Sequence, residues 1–237
     1  MYMPFMVDVE RAVVFGGERD EGLQKTEKMA VFADELLVVP ETDDAPSEIT
    51  LEAGPLERVP ESLSLEESRT IPVADEPASQ DNIPGYVEGA TFVTSDLEDE
   101  SLNTRIEEAA GERNILCNII DVKEKCDTWF VSVIDTPNMI AGISTKGGCA
   151  FYSQRTRIEL EEEFETRSRV SKLFTELRDE LRSGQCNLCA LQVVYDDDRM
   201  QQLMEDGEWD RAYDLGVEKA QDVPDGFHLM DHSVSDA

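Results

Sequence analysis

"ERAVVFGGERDEGLQKTEKMAVFADELLVVPE", residues 10–41, is the stretch on which the fold turns. Residues 10–17 form an apolar run that stops at Gly16 and Gly17, the pattern of a short strand buried on both faces. Residues 22–34 follow with Leu23, Met29, Val31 and Phe32 at helical spacing, and 35–41 give a second apolar strand stopped by Pro40. Strand, helix and strand within about thirty residues open a parallel α/β sheet.

The turn after the first strand invites a phosphate. Two glycines permit a tight bend and a close approach of backbone to an anion at the following helix N-terminus. They serve any strand-to-helix turn equally well. The third glycine of a dinucleotide turn is expected next, but Glu18 stands there, followed by Arg19, Asp20 and Glu21. Acids at these positions oppose a diphosphate. The second strand ends in Pro40 and Glu41, where Glu41 is placed to reach a ribose hydroxyl.

Further along, the alternation of strands and helices is interrupted and then resumes. Residues 42–87 are rich in proline, serine and acids and read as a long, partly mobile insertion, with "SRTIPVAD" as its most strand-like piece. The pattern returns as a strand at 89–96, a helix at 99–114 capped by Asp99 or Ser101, and a strand at 115–121. "TWFVSVIDT" and "MIAGIST" then read as an antiparallel pair across "PN". Residues 150–182 look helical, Gly184 stops them, and two or three short helices follow before a polar tail. The expected organisation is a nucleotide-binding domain over 1–125, a small α+β dimerisation segment over 126–170, and a helical region over 171–237.

Composition narrows the function. The formal charge is -32, from 53 acidic against 21 basic residues, 14 of them Arg and 7 Lys. So much negative charge repels phosphate backbones and anionic lipid, which argues against nucleic acid or a membrane surface as partner. Acids spread along the whole chain suit a high-salt cytoplasm, where the Debye length shrinks to ~3 Å at 1 M salt and self-repulsion is suppressed. No apolar run approaches the ~20 residues of a membrane span, and the first residues lack the basic flank of a signal peptide, so the expectation is a cytoplasmic protein. Five cysteines in 237 residues do not form a disulfide framework.

Several residues carry chemistry. Asp121 ends a strand at the carboxyl edge, where open α/β sheets bind ligands; it reads as a proton acceptor or as an ordinary turn acid. "STKGGC", residues 144–149, is an anion-binding turn or a flexible corner. Cys186 and Cys189 in "CNLC" are half of a zinc site and read as core residues instead. His228 and His232 read as surface residues, and no metal site is expected from these residue types.

In order and spacing, these pieces resemble the siroheme synthase family of precorrin-2 dehydrogenases, some of which are also sirohydrochlorin ferrochelatases. The resemblance rests on "VVFGG", "LLVVPE", "GATFVTSDLEDESLNTRIEEAAGERNILCNIIDVKEKCD", "IAGISTKGGCAFYSQRTRIELE" and "LMEDGEWDRAYDLGVEKA". It implies a Rossmann-like fold, a homodimer, and NAD-dependent oxidation of precorrin-2 to sirohydrochlorin, with Fe²⁺ inserted as a second substrate in bifunctional members. Matched residue by residue, it implies Asp121 as catalytic acid. Gly16, Gly17, Glu18 and Arg19 fall at the NAD diphosphate, Pro40 and Glu41 at the ribose, and Thr94 and Ser95 near the nicotinamide, with Asn103 supporting that loop. Asn118, Ser144, Thr145, Gly147 and Cys149 fall on the tetrapyrrole, with Arg155 and Arg157 on its carboxylates.

The sequence departs from the family at the third glycine and by about two additional residues before Lys25. Cys149 and Ala150 replace Ser-Pro, and Val131 replaces a frequent proline. Those departures also fit a second reading, a diverged, non-catalytic tetrapyrrole-binding or scaffold protein that has lost NAD binding.

Overall fold

Strand β1 (Val9–Phe15) is the hub of a four-stranded parallel sheet ordered β2-β1-β7-β8, seen in a computed structural model that describes residues 8–56, 64–146, 148–183 and 190–223. Helix α1 (Asp20–Phe32) leads without a loop into β2 (Ala33–Val39), which pairs with β1 from Val9 with Ala33 to Phe15 with Val39. The chain then crosses to the other side of β1. Helix α2 (Ile83–Val87), β7 (Phe92–Ser95), α3 (Glu100–Gly111) and β8 (Leu116–Ile119) complete the sheet. The order of connection therefore reverses between β1 and β7, the position at which such sheets open a crevice at their carboxyl ends.

Alternation along the strands feeds two cores. Ala12, Val14, Leu36, Val38 and Phe92 meet Met29 and Ala30 of α1 on one face. Val13, Phe15, Val39, Val93, Cys117 and Ile119 meet Ile83, Val87, Ile106, Ala109 and Ala110 on the other. Asp99 is the cap of α3, accepting from the amides of Ser101 and Leu102.

The acidic insertion is a correction to the sequence reading. Its described residues form two antiparallel ladders, β3 (Glu48–Leu51) with β6 (Arg69–Pro72) and β4 (Gly54–Pro55) with β5 (Ser64–Leu65). Leu51, Leu56, Leu65 and Ile71 are buried in the α1-side core, so apolar burial holds the segment in place. Arg69 adds hydrogen bonds to the carbonyls of Ala30, Ala33 and Asp34, which the abrupt α1–β2 junction leaves without helical partners. Val73 bridges Val38 and so covers the outer edge of β2.

Strands β9 (Ser132–Thr136) and β10 (Met139–Ile143) pair across Pro137 and Asn138, and α4 runs from Ala150 to Ser183. The chain divides into two compact units. The first extends to Val133 and resumes over Gly142–Arg157; the second comprises Ile134–Ala141 and the chain from Ile158 on. The segment 126–170 is thus shared between them. In the second unit Leu173, Leu177 and Leu181 of α4 pack with α5 (Ala190–Tyr195), α6 (Asp198–Glu205) and α7 (Trp209–Gln221). Gly184, Cys186, Cys189, His228 and His232 lie outside the described residues.

Candidate active site at the strand ends

The turn after β1 is built for close approach. Gly16 has φ +71° and donates its amide to the Val39 carbonyl. A third glycine serves the turn after all: a Cβ on Gly22 would stand 2.0 Å from the Gly16 carbonyl oxygen. Its place is the first turn of α1, and the additional residues before it are absorbed partly by Asp20, which takes φ +50°. The Thr26 hydroxyl donates to the Gly17 carbonyl at 2.8 Å and fixes the other side of the bend. The backbone fits a dinucleotide diphosphate.

The side chains around it are differently disposed. Asp96, just after β7, accepts the Gly22 amide at 2.7 Å, at the α1 N-terminus where a diphosphate is expected. Burial, with Glu21 and Asp20 nearby, holds its carboxyl above the usual carboxylate range despite that bond and Lys25. Glu18 accepts the Glu41 amide at 3.0 Å, and burial raises its carboxyl too. Glu41 forms an ion pair with Arg19 and accepts the Glu98 amide. Pro40 is buried. The expected ribose and diphosphate ligands therefore already hold one another.

Thr94 and Ser95, expected beside a nicotinamide, are 0% and 1% exposed. Thr94 donates to the Asn118 side-chain oxygen, and Ser95 donates to Asn103 at 2.6 Å. Asn103 in turn donates to the Leu97 carbonyl. These side chains shape the turn between β7 and α3 from beneath and offer no surface to a ligand.

Beyond β8 opens a cavity of about 520 Å³, formed wholly by the first unit. Asn118, Asp121, Ser144, Thr145 and Cys149 all line it, joined by Lys25, Trp129 and Phe130. Asn118 donates to the Thr128 carbonyl at 2.9 Å and so holds the loop that brings up the two aromatics. Asp121 is exposed at φ +62°, a left-handed conformation that non-glycine residues seldom adopt. The Thr145 hydroxyl accepts the Cys149 amide at 2.9 Å and thereby shapes the turn before α4. Gly147 lies outside the described residues.

Arg155 and Arg157 do not line the cavity; Arg155 is exposed and Arg157 only 5% exposed. Two residues apart on a helix, they point about 200° away from each other, toward opposite faces of α4. The cations at the cavity are Lys25 and Lys123. Lys25 was missed because it lies in a helix of ordinary amphipathic appearance. Of the thiols, Cys117 is buried, which pushes it up to about 12, while Cys149 is exposed. Among the described residues no group of three or more His, Cys, Asp or Glu is placed to hold a metal ion, and no helix is long and apolar enough to cross a membrane.

Comparison with known proteins finds similarity in the amino-acid sequence. Residues 5–132 match the family described as putative NAD(P)-binding. Siroheme synthase 1 of Pectobacterium atrosepticum is 30% identical over 83 residues, which cover 35% of this chain and 17% of that protein. Siroheme synthase 1 of Aeromonas hydrophila is 25% identical over 118 residues, covering 50% of this chain and 24% of the relative. A solved structure titled SirC, precorrin-2 dehydrogenase, aligns with 94% of this chain and 98% of its own at 13% identity and a TM-score of 0.49. The resemblance to siroheme synthases read from the motifs is borne out, over a minor part of those longer proteins.

Proposed function

Because this chain belongs to the putative NAD(P)-binding family, we propose that it is an NAD-dependent oxidoreductase that converts precorrin-2 to sirohydrochlorin in the cavity beyond β8. The observation that supports this is convergence. Asn118 and Asp121 come from one motif of the sequence and Ser144, Thr145 and Cys149 from another, yet they line one cavity at the sheet's carboxyl end. A nicotinamide cofactor, when bound, would supply the hydride acceptor.

The protein's own part is placement and proton handling. Gly16, Gly17 and the Gly22 amide would hold the diphosphate, and Glu41 is the residue nearest in role to a ribose acceptor. Asp121 takes the proton that leaves the macrocycle as the hydride departs. If Fe²⁺ follows as second substrate, the same carboxylate takes pyrrole protons. Trp129 and Phe130 offer flat apolar surface to a ring. The exposed Phe151 and Tyr152, at the start of α4, are the apolar surface that the proposed homodimer would cover.

A specific observation favours the second reading, a tetrapyrrole-binding scaffold without NAD: Asp96 already occupies the Gly22 amide, and Glu41 is paired with Arg19. The test is to supply precorrin-2 and NAD, follow the absorption spectrum, then add Fe²⁺. Asp121→Asn is the informative variant, since Asn tolerates the left-handed backbone whereas Ala there costs roughly 1–2 kcal/mol. Turnover should fall at least ~100-fold with the melting curve unchanged. Full turnover in that variant removes Asp121 from the mechanism, and binding of tetrapyrrole without any turnover of the wild type establishes the scaffold.

A further inference from the structure

Lys25 and Lys28 lie one turn apart on α1 and approach the same aromatic ring. Their ammonium groups stand 4.8 Å and 5.5 Å from the centroid of Phe130, which lines the cavity. Both lysines are only partly exposed. In a chain with 53 acids and 7 lysines, two half-buried ammonium groups side by side are an unfavourable arrangement that nothing in the core requires. Burial and the neighbouring Lys25 charge bring Lys28 down to about 8, and burial lowers Lys25 as well. The carboxylates of Glu21, Asp96 and Asp121 act in the opposite sense on Lys25 and favour its charged form. A bound anion would relieve the desolvation and the repulsion together.

We propose that Lys25 is the carboxylate anchor of this cavity: its ammonium, held against Phe130 in the cavity that Asp121 also lines, pairs with one acidic side arm of a macrocyclic polycarboxylate. By holding one arm, Lys25 fixes which edge of the ring meets Asp121, so it determines specificity without taking part in proton transfer. The role expected of Arg155 and Arg157 thus passes from α4 to α1. The assignment rests on the tetrapyrrole reading above.

The test uses the full chain and uroporphyrin, a stable macrocycle with carboxylate arms, titrated by fluorescence quenching at pH 7. Lys25→Met should weaken binding by about tenfold to a hundredfold, the range for losing one charge-assisted contact. Lys25→Arg should recover most of that loss, and Lys172→Met, on exposed helix surface, should change nothing. Equal affinity of Lys25→Met and wild type overturns the anchor and leaves the tetrapyrrole reading standing. Should Lys25→Met not fold, weak binding by a folded Lys25→Gln supports the anchor and wild-type binding by it overturns the anchor. Failure of the wild type to bind uroporphyrin overturns the reading and the anchor with it.

Discussion

At the residue scale, Asp96 decides how well the turn receives a dinucleotide. Its carboxylate holds the Gly22 amide at 2.7 Å, so an entering diphosphate must displace it or share the space with a like charge. Its pKa is raised above the ordinary 3.8. A raised carboxyl binds its proton more tightly in the folded state, so its contribution to stability is full below 3.8 and is lost as pH rises through the higher folded value. Ligand binding runs in the same sense, because protonation removes the repulsion. Affinity for NAD is therefore expected to increase as pH falls through the Asp96 titration. Asp96→Asn should raise affinity at pH 7 by about fivefold, equivalent to ~1 kcal/mol, and flatten that pH dependence. Thermal-shift titration with NAD measures both, and weaker binding by the variant would make the Asp96 carboxylate a ligand rather than an obstacle.

At the scale of elements, the contact between α1 and β1 depends on one glycine. Gly22 lets the first turn of the helix lie on the strand's final turn, and Gly22→Ala places a methyl group against the Gly16 backbone, which cannot move aside as a side chain would. The expected cost is roughly 1–3 kcal/mol of stability by urea denaturation, with NAD binding lost first. The strand–helix–strand unit itself was legible from hydrophobic periodicity. Its third glycine was not, because spacing alone placed it at position 18, and only the left-handed backbone of Asp20 brings position 22 into that role. The insertion was misread for a related reason: its strands run two to four residues, too short to show a period of two. The place of Asp121 was legible because it follows closely on a strand, although β8 ends two residues earlier, at Ile119. The side-chain networks of Thr94 and Ser95 were not, since burial at a strand's end depends on the loop that closes over it.

For the whole molecule the governing quantity is the charge of -32. Much of it lies on exposed helix faces, where pairs such as Arg167 with Glu163 and Lys172 with Glu176 offset only a small part of the acid excess. Surface pairs of this kind contribute about 0–1 kcal/mol each and weaken with salt, so they cannot balance the repulsion among the remaining carboxylates. Screening can: the Debye length falls from ~10 Å at 0.1 M to ~3 Å at 1 M, shorter than most distances between surface charges. The melting temperature should therefore climb between 0.1 and 2 M KCl, where a protein stabilised by surface ion pairs would lose ground. Sodium chloride at equal ionic strength should give a similar rise if screening is the cause. A flat or falling melting curve across that range would show that the acids are balanced within the fold, and the high-salt reading of the composition would have to be abandoned.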